Sequence, residues 1–258
     1  MSATEMVPAV ILAGGPARGA PGADGRPAHR ALTPVNGRPM LCWVLDALAG
    51  AGSVSGVTVV GQAPAEAACA RVPDQGGFVD NLFAGLQAAG PGEVVAVATC
   101  DIPFLTPEAV DDLVRRGLAL GADIVYPIVA VERCQARFPG VPRTSLRLRE
   151  GRFTGGNVTL LRRGFVDAQR GRIEAAYAAR KSPGRLAAML GAGVTLRLAA
   201  TLALRRPLLG LADLEVAISR QVGGRARALI SDYAELATDL DRPADIAAMR
   251  ERESGAPG

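Results

Sequence analysis

"VVAVATCDIPFLTPEAVDDLV", residues 94–114, decides the fold class. Its first six residues are apolar or small with no alternation, the pattern of a strand covered on both faces. Thr106 then stands ahead of Pro107 and Glu108. A threonine hydroxyl caps a helix, and proline suits the first helical position, where its missing N–H is not needed. An acid there favours the positive helix end. The stretch reads as buried strand, turn and capped helix, the repeating unit of a parallel sheet with helical crossovers.

The same alternation extends in both directions. Upstream, residues 7–13 form an apolar strand and 39–49 a helix after a long glycine- and proline-rich loop. Residues 57–61 make a strand, 65–70 carry a weaker helical signal, and 78–89 read as a helix. Downstream, 123–127 is a strand and 131–138 a helix. Residues 145–149 and 152–153 form a hairpin about a Glu150-Gly151 turn, and 157–161 is a further strand. A helix-rich region covers about 165–222, followed by a strand at 227–230 and a closing helix at 243–252. The expected fold is α/β, a mostly parallel sheet with helices on both faces. It forms one domain over 1–253, the helical region as an insertion and 254–258 as a disordered tail.

The chain has 258 residues, of which 49% are hydrophobic and 21% charged, enough for a substantial core without a metal or disulfide staple. Net charge is +4 and the arginines are scattered, so no nucleic-acid partner is expected, while a phosphorylated ligand suits the balance. Lys181 is the single lysine and His29 the single histidine, which excludes histidine metal sites and histidine-based triads. Cys42, Cys69, Cys100 and Cys134 show no short paired spacing, which argues against zinc and against a disulfide framework and fits a cytoplasmic location. No signal peptide is visible at the N-terminus. The apolar stretch 186–204 is interrupted by Arg197 and ended by Arg205-Arg206-Pro207. A spanning helix needs about 20 mostly apolar residues. The stretch therefore reads as one or two buried or surface-docked helices, with at most a weak peripheral membrane contact.

In sheets of this kind ligands bind at the carboxyl ends of strands. The first strand ends at Leu12 and Ala13 and passes into Gly14 and Gly15. Glycine lets a ligand approach the backbone and frees N–H groups for phosphate oxygens, and Arg18 can add a charged fork. A plain surface loop is the equal alternative. No Gly-Lys-Ser/Thr follows, so this is not a P-loop. A third glycine and a prompt helix are also missing, so it is not a dinucleotide fingerprint. Asp101 ends the strand 94–99. A carboxylate there suits Mg²⁺, which takes one or two carboxylates together with substrate phosphates. Turn stabilisation is the other role, although Thr106 already fills the cap. Asp239 and Asp241, two apart, share one side of an extended segment and either could complete a metal site. Asp241 could equally cap the last helix.

"VILAGG" (10–15), "ALTPVNGRPMLCWVLDAL" (31–48), the stretch 94–114, "TGGNVTLL" (154–161) and "ATDLDRPADI" (237–246) together resemble the MobA-like nucleotidyltransferases. That superfamily includes molybdenum-cofactor guanylyltransferase and the sugar-phosphate nucleotidyl- and cytidylyltransferases. The resemblance leaves out about 165–222. It implies a Rossmann-like fold of the nucleotide-diphospho-sugar transferase type and a glycine loop around a triphosphate. Mg²⁺ would be held by Asp101, with Asp239 as the first choice of partner. An NMP would move from an NTP to a phosphorylated or hydroxyl small-molecule acceptor with release of pyrophosphate.

The family loop carries an arginine, matched by Arg18, and near its end a lysine, where this chain has Arg30 in "HRAL". The usual Arg-Met-Gly core is absent. Arginine keeps the charge but prefers planar, bidentate contacts. A catalytically impaired nucleotide-binding or regulatory protein on the same fold is therefore the alternative reading. "VPDQGGFVDNLFAGLQAA" (72–89) resembles the segment over the base and ribose, implying Gly76, Gly77 and Asn81 as nucleotide contacts. Asp80 and Asn81 also suit a helix start. Gly156 and Asn157 could meet the acceptor or simply form a bulge. Arg143, Thr144 and Lys181 are candidate contacts for an acceptor phosphate, with Lys181 equally suited to a solvated helix end.

Overall fold

Successive residues of a strand face opposite sides of a sheet, and β1 (Val7–Ala13) is apolar on both. The computed structural model describes residues 5–15, 29–179, 182, 189, 191–204 and 206–240, and in it all of β1 is buried. β1 pairs in parallel with β4 (Val54–Gly61) on one side and β6 (Val94–Thr99) on the other. β5 (Ala70–Val72) extends the sheet beyond β4. Past β6 come β10 (Val158–Arg162) and β7 (Ile124–Ala130), antiparallel to each other, so that β7 again runs with β6. β11 (Ala226–Ser231) lies parallel on the far side of β7. The hairpin of β8 (Leu146–Leu148) and β9 (Gly151–Gly155) continues from the upper end of β7. The result is a mixed, mostly parallel nine-stranded sheet, with a separate small ribbon of β2 (Pro34–Val35) and β3 (Arg38–Pro39).

Helices cover both faces. α1 (Met40–Gly50) and α3 (Pro107–Ala119) pack on Ala9, Ile11, Ala96, Ala98 and Leu160. α2 (Phe78–Ala88) and α5 (Arg163–Ala168) pack on Val10, Leu12, Val95, Val97 and Leu161. Thr106 caps α3 as the sequence predicts, its hydroxyl accepting from the Ala109 amide at 3.3 Å. Arg163 closes the other end of α2 by donating to the carbonyls of Leu86 and Gly90. α4 (Val131–Arg137) follows β7 directly. Between β10 and β11 the described helices are α5, α6 (Arg170–Ala179), α7 (Ala192–Leu204) and α8 (Leu211–Val222).

The structure departs from the sequence reading at the short strands β2, β3 and β5, which the sequence did not reveal, and in the segment ahead of β5. Residues 65–70 are not helical. The Arg71 guanidinium collects the carbonyls of Pro64, Ala65 and Ala67, which a helix would have given to its own amides. The hairpin expected about Glu150-Gly151 forms as β8 and β9, and with no helix to carry a crossover β9 and β10 both lie antiparallel to β7. Within 186–204, α7 docks against α8 at the surface, with Leu196 72% and Leu204 61% exposed. No described helix is long and apolar enough to cross a membrane. The closing helix and the tail lie outside the described residues.

β11 is an edge strand, and several of its outward groups are occupied. The Ala226 amide donates to Ser219 Oγ (2.9 Å) and the Ala228 amide to Glu215 Oε1 (2.8 Å), both from α8. The Ile230 carbonyl accepts from Arg116 of α3 at 2.9 Å. A row of unpaired strand groups invites a second chain, and these side chains interrupt that row.

Candidate active site

From β1 the chain runs outward to β4 and β5 and then returns to β6 on the opposite side of β1. The crevice between the carboxyl ends of β1 and β6 is the topological switch point, where open α/β sheets bind ligands. Gly14 and Gly15 enter it from β1, Gly61 ends β4 beside it, and Asp101 enters from β6.

The exit from β1 is tightly built. Gly61 has φ +109°, and a Cβ there would lie 2.5 Å from the Ala13 carbonyl carbon and the Gly14 nitrogen. A Cβ on Gly14 would lie 2.3 Å from Asn81 Nδ2 and 2.7 Å from Asp74 Oδ1. Those two side chains form a clasp. Asp74 Oδ2 accepts from the Gly15 amide (2.9 Å), and Oδ1 accepts from the Gly76 amide (2.9 Å) and Asn81 Nδ2 (2.8 Å). Asn81 Oδ1 in turn accepts from the Gln75 amide at 2.7 Å. These donors, the Gly15 amide first, hold the Asp74 carboxyl below the usual carboxylate range. The structure thus gathers Leu12, Ala13, Gly14, Gly15, Gly76 and Asn81 at one place, with Gly77 as the residue just before α2. Asp80 is turned elsewhere, toward Arg170 at 2.8 Å. Sequence reasoning passed over Asp74. The available signal was an aspartate two residues before a glycine pair, a residue type that bonds nearby backbone in turns.

Asp101 is buried, its side chain 12% exposed. Oδ1 accepts from the Thr99 hydroxyl (2.6 Å) and Oδ2 from Arg30 Nη1 (2.7 Å). Arg30 opens a short 3₁₀ turn, Arg30–Leu32, pinned by the buried Ala31 and by the Met40 amide bonded to the Thr33 carbonyl at 2.9 Å. The neighbouring Cys100 thiol is pushed up to about 12 by burial, which makes it an inert core residue and not a nucleophile.

Asp239 approaches from the far end of the chain. The Leu240 amide donates to the Asp101 carbonyl at 2.9 Å, which lays the segment bearing Asp239 against Asp101. Two further bonds brace this junction: the Thr99 amide to the Asn157 carbonyl (3.0 Å) and the Asn157 amide to the Leu236 carbonyl (2.7 Å). Gly156 is the bulge between β9 and β10, its amide bonded to the Pro127 carbonyl at 2.8 Å. The Arg143 guanidinium grips the same segment through the Ala237 carbonyl (2.5 Å) and Thr238 Oγ1 (3.0 Å). Thr144 is exposed next to it. Tyr126 reaches this corner as well: its hydroxyl lies 2.1 Å from where a Cβ on Gly155 would be. Burial, and then the Asp239 charge, raise its phenol above the usual value. Arg18, Lys181 and Asp241 lie outside the described residues.

Asp101 and Asp239 offer oxygen donors only, the chemistry that suits a hard divalent cation. Among the described residues no group of three or more His, Cys, Asp or Glu gathers. A cation here would draw two carboxylates from the chain and complete its shell from water and phosphate, as Mg²⁺ commonly does.

Comparisons with known proteins bear on the family and the fold. The family model for the MobA-like NTP transferase domain matches residues 9–210. A hypothetical transferase from Thermus thermophilus is 39% identical, with a TM-score of 0.81 over 93% of this chain and 100% of that one. Two further structures share the fold. One is a CMP:2-keto-3-deoxy-manno-octonic acid synthetase complexed with CTP (13% identity, TM-score 0.56, 97% of this chain and 98% of that one). The other is the 4-diphosphocytidyl-2C-methyl-D-erythritol synthase of Anaerococcus prevotii (11% identity, TM-score 0.56, 98% and 100%). The curated proteins contain no match. A glycine exit and an acidic strand end facing one another at the switch point, under a family match over most of the chain, lead to one conclusion: the chain belongs to the MobA-like NTP transferase family and is a nucleotidyltransferase.

Proposed function

We propose that the protein moves a nucleoside monophosphate from an NTP to a small-molecule acceptor bearing a phosphate or hydroxyl, with Mg²⁺ and with release of pyrophosphate, in the cytoplasm. The observation that carries this reading is the junction at Asp101. A buried carboxylate ends the central strand, opposite the glycine exit of β1, with the Asp239 segment bonded to its backbone. Four cysteines without a disulfide fit a reducing compartment.

In this reading the triphosphate lies along the exit from β1, where the missing side chain of Gly14 makes room for the Asp74–Asn81 clasp and Asp74 fixes the direction of the turn through Gly15. Arg30 and Arg18 supply positive charge to the phosphates. The segment 72–81 faces the nucleoside. The acceptor approaches over Gly156, Asn157 and Tyr126, and one of its oxygens attacks the α-phosphorus as pyrophosphate departs. Bound at Asp101 and Asp239, Mg²⁺ would neutralise charge on the phosphate oxygens and order them for in-line attack. Neither a histidine nor an ionised cysteine is needed, because positioning and charge neutralisation do most of the work.

The test is a panel of the four NTPs with Mg²⁺ and candidate phosphorylated acceptors, read as pyrophosphate release. Asp101→Asn should lower turnover by about 100-fold or more while the melting profile stays cooperative. Full turnover in that variant sinks the reading. Tight NTP binding without pyrophosphate for any acceptor would favour a binding protein on the same fold.

A further inference from the structure

We infer that Arg30 is a stand-in cation: its guanidinium holds the place of the divalent ion on Asp101 until a polyphosphate draws it away. The inference rests on the metal role of Asp101 given above. Both carboxylate oxygens of Asp101 already have a donor, Thr99 Oγ1 at 2.6 Å on Oδ1 and Arg30 Nη1 at 2.7 Å on Oδ2. A carboxylate with a 12% exposed side chain is costly to leave uncompensated, so Asp101 calls for a cation beside it. Arg30 provides one from a side chain that is 38% exposed, on a turn pinned by Ala31 and Met40. Its backbone is therefore held in place, and its partly exposed head lies where an incoming polyphosphate can compete with Asp101 for it.

Oδ2 is the better-placed oxygen for a metal, since Oδ1 is turned to the Thr99 hydroxyl within its own strand end. A divalent ion arriving alone must displace a charge-assisted hydrogen bond there. A triphosphate brings several negative charges to the same crevice and offers the guanidinium a partner of equal geometry and larger charge. Arg30 then moves from carboxylate to phosphate, and Oδ2 is released for the ion that comes with the nucleotide. The consequence is an order of binding. The metal enters with or after the nucleotide, and the charge of Arg30 is never lost from the site.

The experiment follows Mn²⁺ alone binding to the full chain, read as loss of the free-ion signal in electron paramagnetic resonance. Wild type and Arg30→Lys, which keeps the charge, should bind Mn²⁺ weakly. Arg30→Gln should bind it tighter by about tenfold or more, because a neutral head leaves the carboxylate open. Asp101→Asn added to Arg30→Gln should erase that gain. Arg30→Met carries the same expectation should the glutamine variant not fold. A gain absent from the neutral variants, equal in Arg30→Lys, or surviving Asp101→Asn overturns the inference. A separate arm measures Mg²⁺-dependent NTP binding in wild type and Asp101→Asn. Loss of that dependence supports the metal role of Asp101 whatever Arg30 does, and no difference between the two proteins overturns that role.

Discussion

At the scale of single residues, the site depends on what is missing as much as on what is present. Gly61 combines a left-handed φ of +109° with a Cβ position 2.5 Å from backbone atoms that cannot move aside. Gly61→Ala should therefore cost about 2–4 kcal/mol, from strain plus displacement of the end of β1. Urea unfolding measures it, and a change under half a kcal/mol would contradict the packing described. Asp74 makes a second prediction. Its carboxyl is depressed by the amides of Gly15 and Gly76 and by Asn81, so its ionised form contributes stability in full above the ordinary carboxylate range. That contribution is lost as pH falls through the depressed native value. Asp74→Asn should flatten the dependence of the urea midpoint on pH between about 5 and 2. Parallel curves for the two proteins would show that the clasp does not act through its charge.

At the scale of elements, α8 protects the sheet as well as covering it. Glu215 accepts the Ala228 amide at 2.8 Å and pairs with Arg227 at 2.9 Å, and Ser219 takes both polar groups of Ala226. Glu215→Ala strands a backbone N–H at the edge of the sheet and should lower stability by about 1–3 kcal/mol. It also uncovers a pairing edge, so light scattering should rise with protein concentration in the variant and not in the wild type. A monodisperse, equally stable variant would mean that water serves the edge as well as Glu215 does. The helical region between β10 and β11 thus has a structural task on the sheet that its sequence, rich in alanine and leucine, does not announce.

At the scale of the whole molecule, the crevice joins groups from four separated parts of the chain: Gly14 with Gly15, Asp74 with Asn81, Asp101, and the segment ending at Asp239 and Leu240. A ligand bridging them stabilises the fold by mass action. The preferred NTP at 100 times its dissociation constant should add about 2.7 kcal/mol, seen as a rise in melting temperature. With Asp101→Asn the increment due to Mg²⁺ should vanish while the nucleotide increment remains. An equal Mg²⁺ increment in the two proteins would place the ion elsewhere.

Read along the chain, the apolar runs of β1 and β6, the Thr106 cap and the glycine pair after Ala13 were enough for a parallel α/β sheet with a ligand edge, because burial period, capping and strand-end glycines are local properties. The position of Asp101 after a buried strand was legible for the same reason. The reversal of β9 and β10, the Asp74 clasp and the ion pair of Arg30 with Asp101 were decided only on folding. Strand direction depends on which neighbour a strand finds. Asp74 meets Gly15 across 59 residues and Arg30 meets Asp101 across 71, contacts that no local pattern encodes. The turn at 64–67 shows the same limit in small: its helical composition lost to one guanidinium, that of Arg71, which gathered the carbonyls a helix would have used.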